Sequence, residues 1–219
     1  RCQAAVEDEL GVDVSDETVA LHQKIHTTHR FFPANVPVST TAFVGRDLEL
    51  AQLHTLFFQK EARLVTILGT GGMGKTKLAQ AFGQNQILEK GRGKYWNGVF
   101  YIPLASVAHG PHIVTATASA LNFNFSENGR LSTKQQLLSF LNDKACLLIF
   151  DNFEHLLDQT SLIDQLLQHA PHIDILVTSR ERLRLREEHL LTLRGLTQDV
   201  AGQKDYAHAI NLFVLNAKR

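Results

Sequence analysis

The stretch Gly69-Thr70-Gly71-Gly72-Met73-Gly74-Lys75-Thr76 decides the fold of this chain. It fits the phosphate-binding pattern G-x-x-x-x-G-K-[ST] in full, it follows the apolar run Leu64–Leu68, and helical spacing continues over Lys77–Phe82. A strand, a glycine-rich turn and a helix N-terminus point backbone N–H groups and the positive end of the helix into one hollow. This context disfavours a glycine-rich hairpin that matches by accident, and it predicts a site for a polyphosphate.

Each part of this phosphate loop has an expected role. Lys75 is expected to reach the outer phosphates of a nucleotide, and the Thr76 hydroxyl is expected to bind Mg²⁺. Backbone N–H groups hold the rest of the phosphate chain, because glycines let the backbone come close. The predicted nucleotide-binding residues of the loop are Gly69, Gly71, Gly72, Gly74, Lys75, Thr76 and Lys77.

The composition is that of an ordinary globular protein. The 219 residues hold 22 Lys and Arg against 22 Asp and Glu, so the overall charge gives no support for nucleic-acid binding by this segment. Apolar runs of about six residues fall far short of the roughly 20 that span a bilayer, and no secretion leader is evident. Two cysteines and 11 histidines without ligand spacing favour neither a disulfide framework nor a metal cluster. We expect a cytoplasmic protein without membrane contact.

Apolar runs alternate with helical spacing along the rest of the chain. The predicted strands are 64–68, 98–104, 146–150, 173–177 and 189–193, and the predicted helices include 47–59, 113–121, 131–141 and 153–169. Strands separated by helices imply right-handed crossovers. The expected fold class is α/β: a parallel five-stranded P-loop NTPase sheet with helices on both faces, preceded by a short helical hairpin.

A carboxylate at the end of a later buried strand adds a second anchor to the phosphate loop. Asp151 follows the apolar run Cys146–Phe150, whose carboxyl end meets the loop at the same edge of a parallel sheet. Asp151 is therefore expected to bind Mg²⁺ together with Thr76, directly or through water. The alternative is an aspartate that caps a helix beginning at Phe153.

An arginine after the next strand is a third candidate. Arg180 directly follows the run Ile175–Ser179 and is expected at the same edge of the sheet. A guanidinium recognises phosphate oxygens in a fork geometry. This position favours a sensor of the terminal phosphate. The alternative is a solvated charge run, since further arginines follow at positions 182, 184 and 186.

Four motifs in order resemble the nucleotide-binding domain of STAND-class P-loop NTPases, in the NB-ARC-like bacterial branch. They are Phe43–Glu49, the phosphate loop, Leu147–His155 and Val177–Leu183. The resemblance implies a slow switch, with ADP in a closed resting form and ATP in an open form that self-associates or exposes an output surface. It also implies that the segment containing Val44 and Arg46 lies against the adenine.

The N-terminal segment Glu9–Leu21 is similar to the last helices of the bacterial transcriptional activation domain found in SARP-like regulators. This resemblance implies a longer protein in which DNA is bound only through regions outside this chain. The expected domains are a remnant of that helical module, a linker, the nucleotide-binding domain and the start of a helical subdomain, over residues 1–29, 30–42, 43–197 and 198–219 respectively.

The residue after Asp151 departs from many hydrolytic relatives. These place an acid there to activate water, whereas this chain has Asn152, an amide that cannot take a proton at neutral pH. Hydrolysis should then be slow, or Glu154 must act as the base. Glu154 could equally be a carboxylate favoured by the first turn of a helix. The predicted catalytic residues are accordingly Asp151, Glu154 and Arg180.

Two other function classes remain open at this point. A P-loop phosphotransferase acting on a small molecule would need an arginine-rich lid between the second strand and Asp151, where residues 105–144 offer only Arg130. An AAA+-type DNA-associated ATPase would need an arginine finger and a ring interface, neither of which can be located in the sequence. The sequence therefore favours an ATP/ADP-binding switch over both.

Overall fold

The computed structural model describes residues 32–38, 45–88, 94–107, 110–126 and 131–194. The chain divides into two compact units, Arg1–Phe32 and Pro33–Arg219, and all the elements below belong to the second. The strands are β1 (Leu64–Leu68), β2 (Val99–Pro103), β3 (Leu147–Asp151), β4 (Asp174–Ser179) and β5 (Glu188–Thr192). The α-helices are α1 (Asp47–His54), α2 (Lys75–Leu88), α3 (Pro111–Ala120), α4 (Thr133–Leu141) and α5 (Thr160–His169), and a π-helical turn, Thr55–Gln59, extends α1.

The five strands form one parallel sheet in the order β2-β3-β4-β1-β5. The chain runs from β1 to the far edge at β2 and returns through β3 and β4, and it then crosses to the other side of β1 to form β5. The crevice at which such a sheet reverses its strand order lies at the carboxyl ends of the strands, where open α/β sheets bind ligands. The predicted α/β fold class is confirmed.

The strands form because their apolar runs are buried on both faces, as in parallel sheets covered by helices. All side chains of β3 and β4 are buried. One face packs on α3, α4 and α5 through residues such as Phe150, Ile113 and Leu166, whereas Ile149 on the other face meets α2 at Gly83.

The segment before α1 adds to the edge of the sheet. Ala34 forms a parallel bridge with Val99, and the Asn35 side chain both donates to the carbonyl of Tyr101 (3.0 Å) and accepts from its N–H (2.6 Å). Val36 is buried at 7% exposure. All three residues lie within the stretch predicted to be a linker. Ala34 and Asn35 pair with β2, because its outer edge has no other strand among the described residues.

The region after β3 differs from the single helix predicted over residues 153–169. Asn152 adopts a left-handed conformation (φ 69°), two 3₁₀ turns follow at Phe153–His155 and Leu157–Gln159, and α5 begins only at Thr160. The N–H of Asn152 donates to Thr178 Oγ1 (2.9 Å), which turns the chain at this point, and Asn tolerates the left-handed region better than most residues. Glu154 is therefore not in the first turn of α5.

Some predictions fall outside the described residues. These are the N-terminal hairpin, Val44, and the start of a helical subdomain over residues 198–219. The predicted domain boundaries remain predictions.

Candidate functional site

The phosphate loop runs from the end of β1 to the start of α2. Gly72 and Gly74 have φ angles of 79° and 85°, a region that a side chain makes costly, so both positions require glycine. The N–H of Gly69 donates to the carbonyl of Ser179 (3.3 Å), which fixes the start of the loop against the end of β4. Lys75 Nζ donates to the carbonyls of Gly69 (2.8 Å) and Thr70 (3.1 Å). Two of its three ammonium protons are thereby engaged within the loop, which leaves the third for a ligand.

Thr76 and Asp151, the two predicted Mg²⁺ ligands, are in direct contact. Thr76 Oγ1 donates to Asp151 Oδ1 over 2.8 Å, although the residues are 75 positions apart. Asp151 is only 8% exposed, and the turn that follows it has Asn152 as its N-cap, whose side chain makes no capping hydrogen bond. No α-helix begins at Phe153, where a capping role for Asp151 was the alternative, and the metal-binding role of Asp151 stays a prediction.

Sequence reasoning missed two further residues that bind this carboxylate. Thr178 Oγ1 donates to Asp151 Oδ1 (2.6 Å) from β4, and the Tyr101 hydroxyl donates to Asp151 Oδ2 (2.7 Å) from β2. Burial, followed by the hydrogen bond and the charge of Asp151, raises the pKa of Tyr101 well above its ordinary value, whereas a hydrogen bond from Gln80 opposes this shift. A tyrosine in an otherwise apolar buried strand was the available signal, since a buried phenol needs a partner.

The donor set at Asp151 suits Mg²⁺. This ion prefers hard oxygen ligands and takes only one or two from the protein, the others being water and substrate phosphates. A carboxylate and a hydroxyl beside a phosphate loop provide such a pair. Among the described residues no group of three or more His, Cys, Asp or Glu side chains could hold a metal ion, so a site made wholly of protein ligands has no support there.

Arg180 and Glu154 form an ion pair above the loop, with Arg180 Nε 2.9 Å from Glu154 Oε1. The guanidinium also lies over Gly71, because a Cβ atom at that glycine would be 3.6 Å from Arg180 Nη2. Glu154 Oε2 is buried and finds no hydrogen-bond donor among the described residues. The structure thus brings Arg180 to the loop and leaves one buried carboxylate oxygen of Glu154 without a donor among the described residues.

The Asn152 side chain contacts the turn that follows β3. Its side-chain amide contacts His155 Nδ1 (3.5 Å), and His155 Nε2 lies 2.9 Å from the carbonyl of Val107. Because a carbonyl only accepts, Nε2 carries the proton and Nδ1 accepts from Asn152. This amide holds the turn after β3 and offers no base to a reacting water.

Arg46 lies at the other side of the loop. Its Nη2 donates to the carbonyl of Arg194 (2.9 Å), just after β5, and makes a longer contact with the carbonyl of Met73 (3.4 Å). It also forms an ion pair with Glu49. Arg46 thus joins the start of α1 to the loop and to the end of the sheet. Lys77 is exposed in the first turn of α2.

A glycine loop between β1 and α2, with a hydroxyl and a carboxylate paired at the carboxyl edge of a parallel sheet, defines a P-loop NTPase. The family model described as the NACHT domain matches residues 63–204. The chain therefore belongs to the NACHT domain family. This family lies within the STAND class of P-loop NTPases, which is the class that the motifs predicted. The more specific NB-ARC-like branch remains a prediction.

Several known proteins are similar to this chain. A Mycobacterium tuberculosis protein whose name states no function is 36% identical over 82% of this chain and 42% of its own length. Another from the same organism, named "Putative HTH-type transcriptional regulator", is 34% identical over 72% of this chain and 16% of its own length. The chain thus spans less than half of these relatives.

Solved structures of similar fold share little sequence with it. A STAND protein with a tetratricopeptide repeat sensor from Pyrococcus horikoshii is 18% identical, with a TM-score of 0.48 over 81% of this chain and 26% of that one. The Aeropyrum pernix ORC2 protein is 16% identical, with a TM-score of 0.49 over 75% of this chain and 50% of that one.

No helix within the described ranges combines the length and the apolar content needed to cross a membrane.

Proposed function

We propose that this chain binds ATP or ADP together with Mg²⁺ at the phosphate loop and acts as a nucleotide-dependent switch. The hydrogen bond between Thr76 Oγ1 and Asp151 Oδ1 carries the proposal, because it joins the loop to the carboxylate at the distance that a shared metal ion requires. When bound, the metal ion supplies positive charge beside the phosphate oxygens.

Each part of the phosphate loop has its own role in this proposal. The backbone N–H groups around Gly72 and Gly74 hold the inner phosphates, and Lys75 turns its ammonium toward the outer ones. Asp151 accepts a hydrogen bond from the Thr76 hydroxyl, which leaves the oxygen lone pairs of Thr76 for the metal ion.

Hydrolysis at this site is proposed to be slow and to serve as a timer. Asn152 supplies no base, so Glu154 is the candidate. Its Oε2, which has no hydrogen-bond donor among the described residues, is the acceptor that would orient an attacking water. Arg180 reports the terminal phosphate: its guanidinium exchanges the carboxylate of Glu154 for phosphate oxygens when ATP is bound. Asp151, Glu154 and Arg180 are the catalytic residues of this proposal.

The output of the switch is proposed to be transcriptional. One relative is named as an HTH-type transcriptional regulator, and the N-terminal segment resembles a bacterial transcriptional activation domain. DNA would then be bound by other regions of a longer protein, and self-association of that protein in the ATP state would transmit the signal. A cytoplasmic location follows from this role.

The nucleobase is proposed to be adenine. Arg46 lies beside the loop. Arg46 and Val44 belong to the segment that, by the resemblance to STAND nucleotide-binding domains, lies against the base. Competition of ATP and GTP against labelled ADP tests this point. Equal displacement by both would contradict it.

The central proposal is tested by calorimetric titration of ADP with Mg²⁺ into the chain and two lysine variants. Lys75→Ala should abolish binding, whereas Lys134→Ala, which removes an exposed lysine from the first turn of α4, should bind as the parent does. Equal affinity of the parent and Lys75→Ala, or no binding by the parent, would overturn the proposal. Circular dichroism establishes that both variants are folded.

A further inference from the structure

Helix α2 reaches the carboxylate of Asp151 by two routes. Thr76 and Gln80 lie four residues apart on this helix and hence on the same face. Thr76 donates directly to Oδ1, whereas Gln80 hydrogen-bonds to the Tyr101 hydroxyl, which donates to Oδ2 over 2.7 Å. The phenol is thus held on one side by the helix that follows the loop and on the other by the carboxylate.

This arrangement fixes the plane of the carboxylate. Oδ1 accepts from Thr76 and Thr178, and Oδ2 accepts from Tyr101, so the group cannot rotate without losing a hydrogen bond. The direction of the Thr76 lone pairs depends on where the Thr76 proton points, and that proton points to Oδ1. A residue that holds Oδ2 therefore also aims the hydroxyl oxygen of Thr76.

We propose that Tyr101 is a positioning residue for Mg²⁺, which orients Asp151 and, through it, the Thr76 hydroxyl. The inference rests on the proposed function, since it assigns a part of the same site. Tyr101 does not touch the metal ion or the nucleotide; it acts through Asp151. Loss of such a supporting hydrogen bond typically lowers metal affinity by about 10- to 100-fold.

The chain offers a matched control at the opposite end of the sheet. Tyr95, 3% exposed, donates its hydroxyl to Oδ2 of the buried Asp174 over 2.8 Å, as Tyr101 does to Asp151. Asp174 begins β4, whereas the phosphate loop lies at the carboxyl edge. Tyr95→Phe therefore removes the same kind of buried phenol–carboxylate bond away from the nucleotide.

The experiment titrates Mg²⁺ into the chain in the presence of fluorescent ADP, and measures ADP affinity separately in EDTA. Tyr101→Phe should raise the Mg²⁺ midpoint by about 10-fold or more, with the affinity in EDTA unchanged within twofold. Tyr95→Phe should lower the thermal midpoint of unfolding and leave the Mg²⁺ midpoint as in the parent. Gln80→Met keeps Tyr101 but removes its hydrogen-bond partner on α2. It should raise the Mg²⁺ midpoint by a smaller factor than Tyr101→Phe does. This variant replaces Tyr101→Phe in the test if Tyr101→Phe does not fold.

Three results would overturn the inference. An unchanged Mg²⁺ midpoint in folded Tyr101→Phe, or in Gln80→Met where that variant stands in, would show that the phenol does not position the carboxylate. An equal loss of affinity with Mg²⁺ and in EDTA would indicate a general effect on the loop. A parent chain whose ADP binding ignores Mg²⁺ would contradict the proposed metal site itself, and this outcome is distinct from the first two.

Discussion

A Cβ atom at Gly83 of α2 would stand 2.7 Å from Ile149 Cδ1 of β3, closer than real side chains approach. Two methyl groups of Val36 would lie 3.2 and 3.3 Å from this Cβ atom. The bare backbone at Gly83 therefore lets α2 lie close on the sheet. The same helix carries Thr76 and the same strand ends at Asp151, so this contact also sets how closely the two halves of the site meet.

Gly83→Ala should lower the free energy of unfolding by about 1 kcal/mol. Overpacking a core costs about 1–3 kcal/mol, and the better helix propensity of Ala returns about 1 kcal/mol of it. Urea denaturation measures the change. In an Ile149→Val background the crowded Cδ1 is absent, so the same substitution should cost less or become stabilising. An identical cost in both backgrounds would locate the effect elsewhere, for example at Val36.

Cys146 should be unreactive in the folded chain. The residue is fully buried ahead of β3, and burial, with a smaller contribution from the charge of Asp174, raises the pKa of its thiol to about 12. The nucleophilic thiolate is then scarce at pH 8. A Cys2→Ser variant isolates Cys146 for measurement with a thiol-specific chromophore, and it should react only after urea is added. Rapid reaction without urea would indicate opening at the start of β3.

Asp174 should make the free energy of unfolding depend on pH. Burial raises its pKa, although hydrogen bonds and charge from Lys94 and a hydrogen bond from Tyr95 oppose the shift. A carboxyl whose folded pKa lies above its unfolded value stabilises the fold most below the unfolded pKa, near 3.9, and this contribution is lost as the pH rises through the folded pKa. The stability of the parent relative to Asp174→Asn should therefore rise as the pH is lowered from 7 toward 4. Urea denaturation at several pH values measures it, and a constant difference would contradict the assignment.

Glu154→Gln should slow hydrolysis without weakening nucleotide binding. An oriented general base contributes roughly 10²- to 10⁴-fold to a rate, so a loss of at least about 100-fold is expected in a single-turnover assay, from a parent rate already below roughly 1 s⁻¹. Glu187→Gln, an exposed glutamate just before β5, is the control and should keep the parent rate. An unchanged rate in Glu154→Gln would remove Glu154 from the catalytic residues, and a fast parent would contradict the timer.

Local patterns predicted the elements that carry the site. The strand at Leu64–Leu68 has the bounds expected from its apolar run, and the other four strands lie within two residues of their predicted ends. The helix predicted at 131–141 begins at Thr133, because Ser132 and Gln135 form a capping box. The two residues of this box are three positions apart, so the pattern is local. Strands that are buried on both faces of the sheet are almost continuously apolar in sequence. Their positions can therefore be predicted without knowing which strands are their neighbours.

By itself the sequence determined that a phosphate loop follows β1, that Asp151 ends a buried strand and that the fold is a parallel α/β sheet. Each of these depends on residues close together in the chain. Only the tertiary structure decided the strand order and the attachment of residues 33–35 to β2. It also decided the hydrogen bonds of Thr178 and Tyr101 to Asp151, which join residues 27 and 50 positions apart. Those partners depend on which strands become neighbours and in what register, and this is set by packing across the whole sheet rather than by any local pattern.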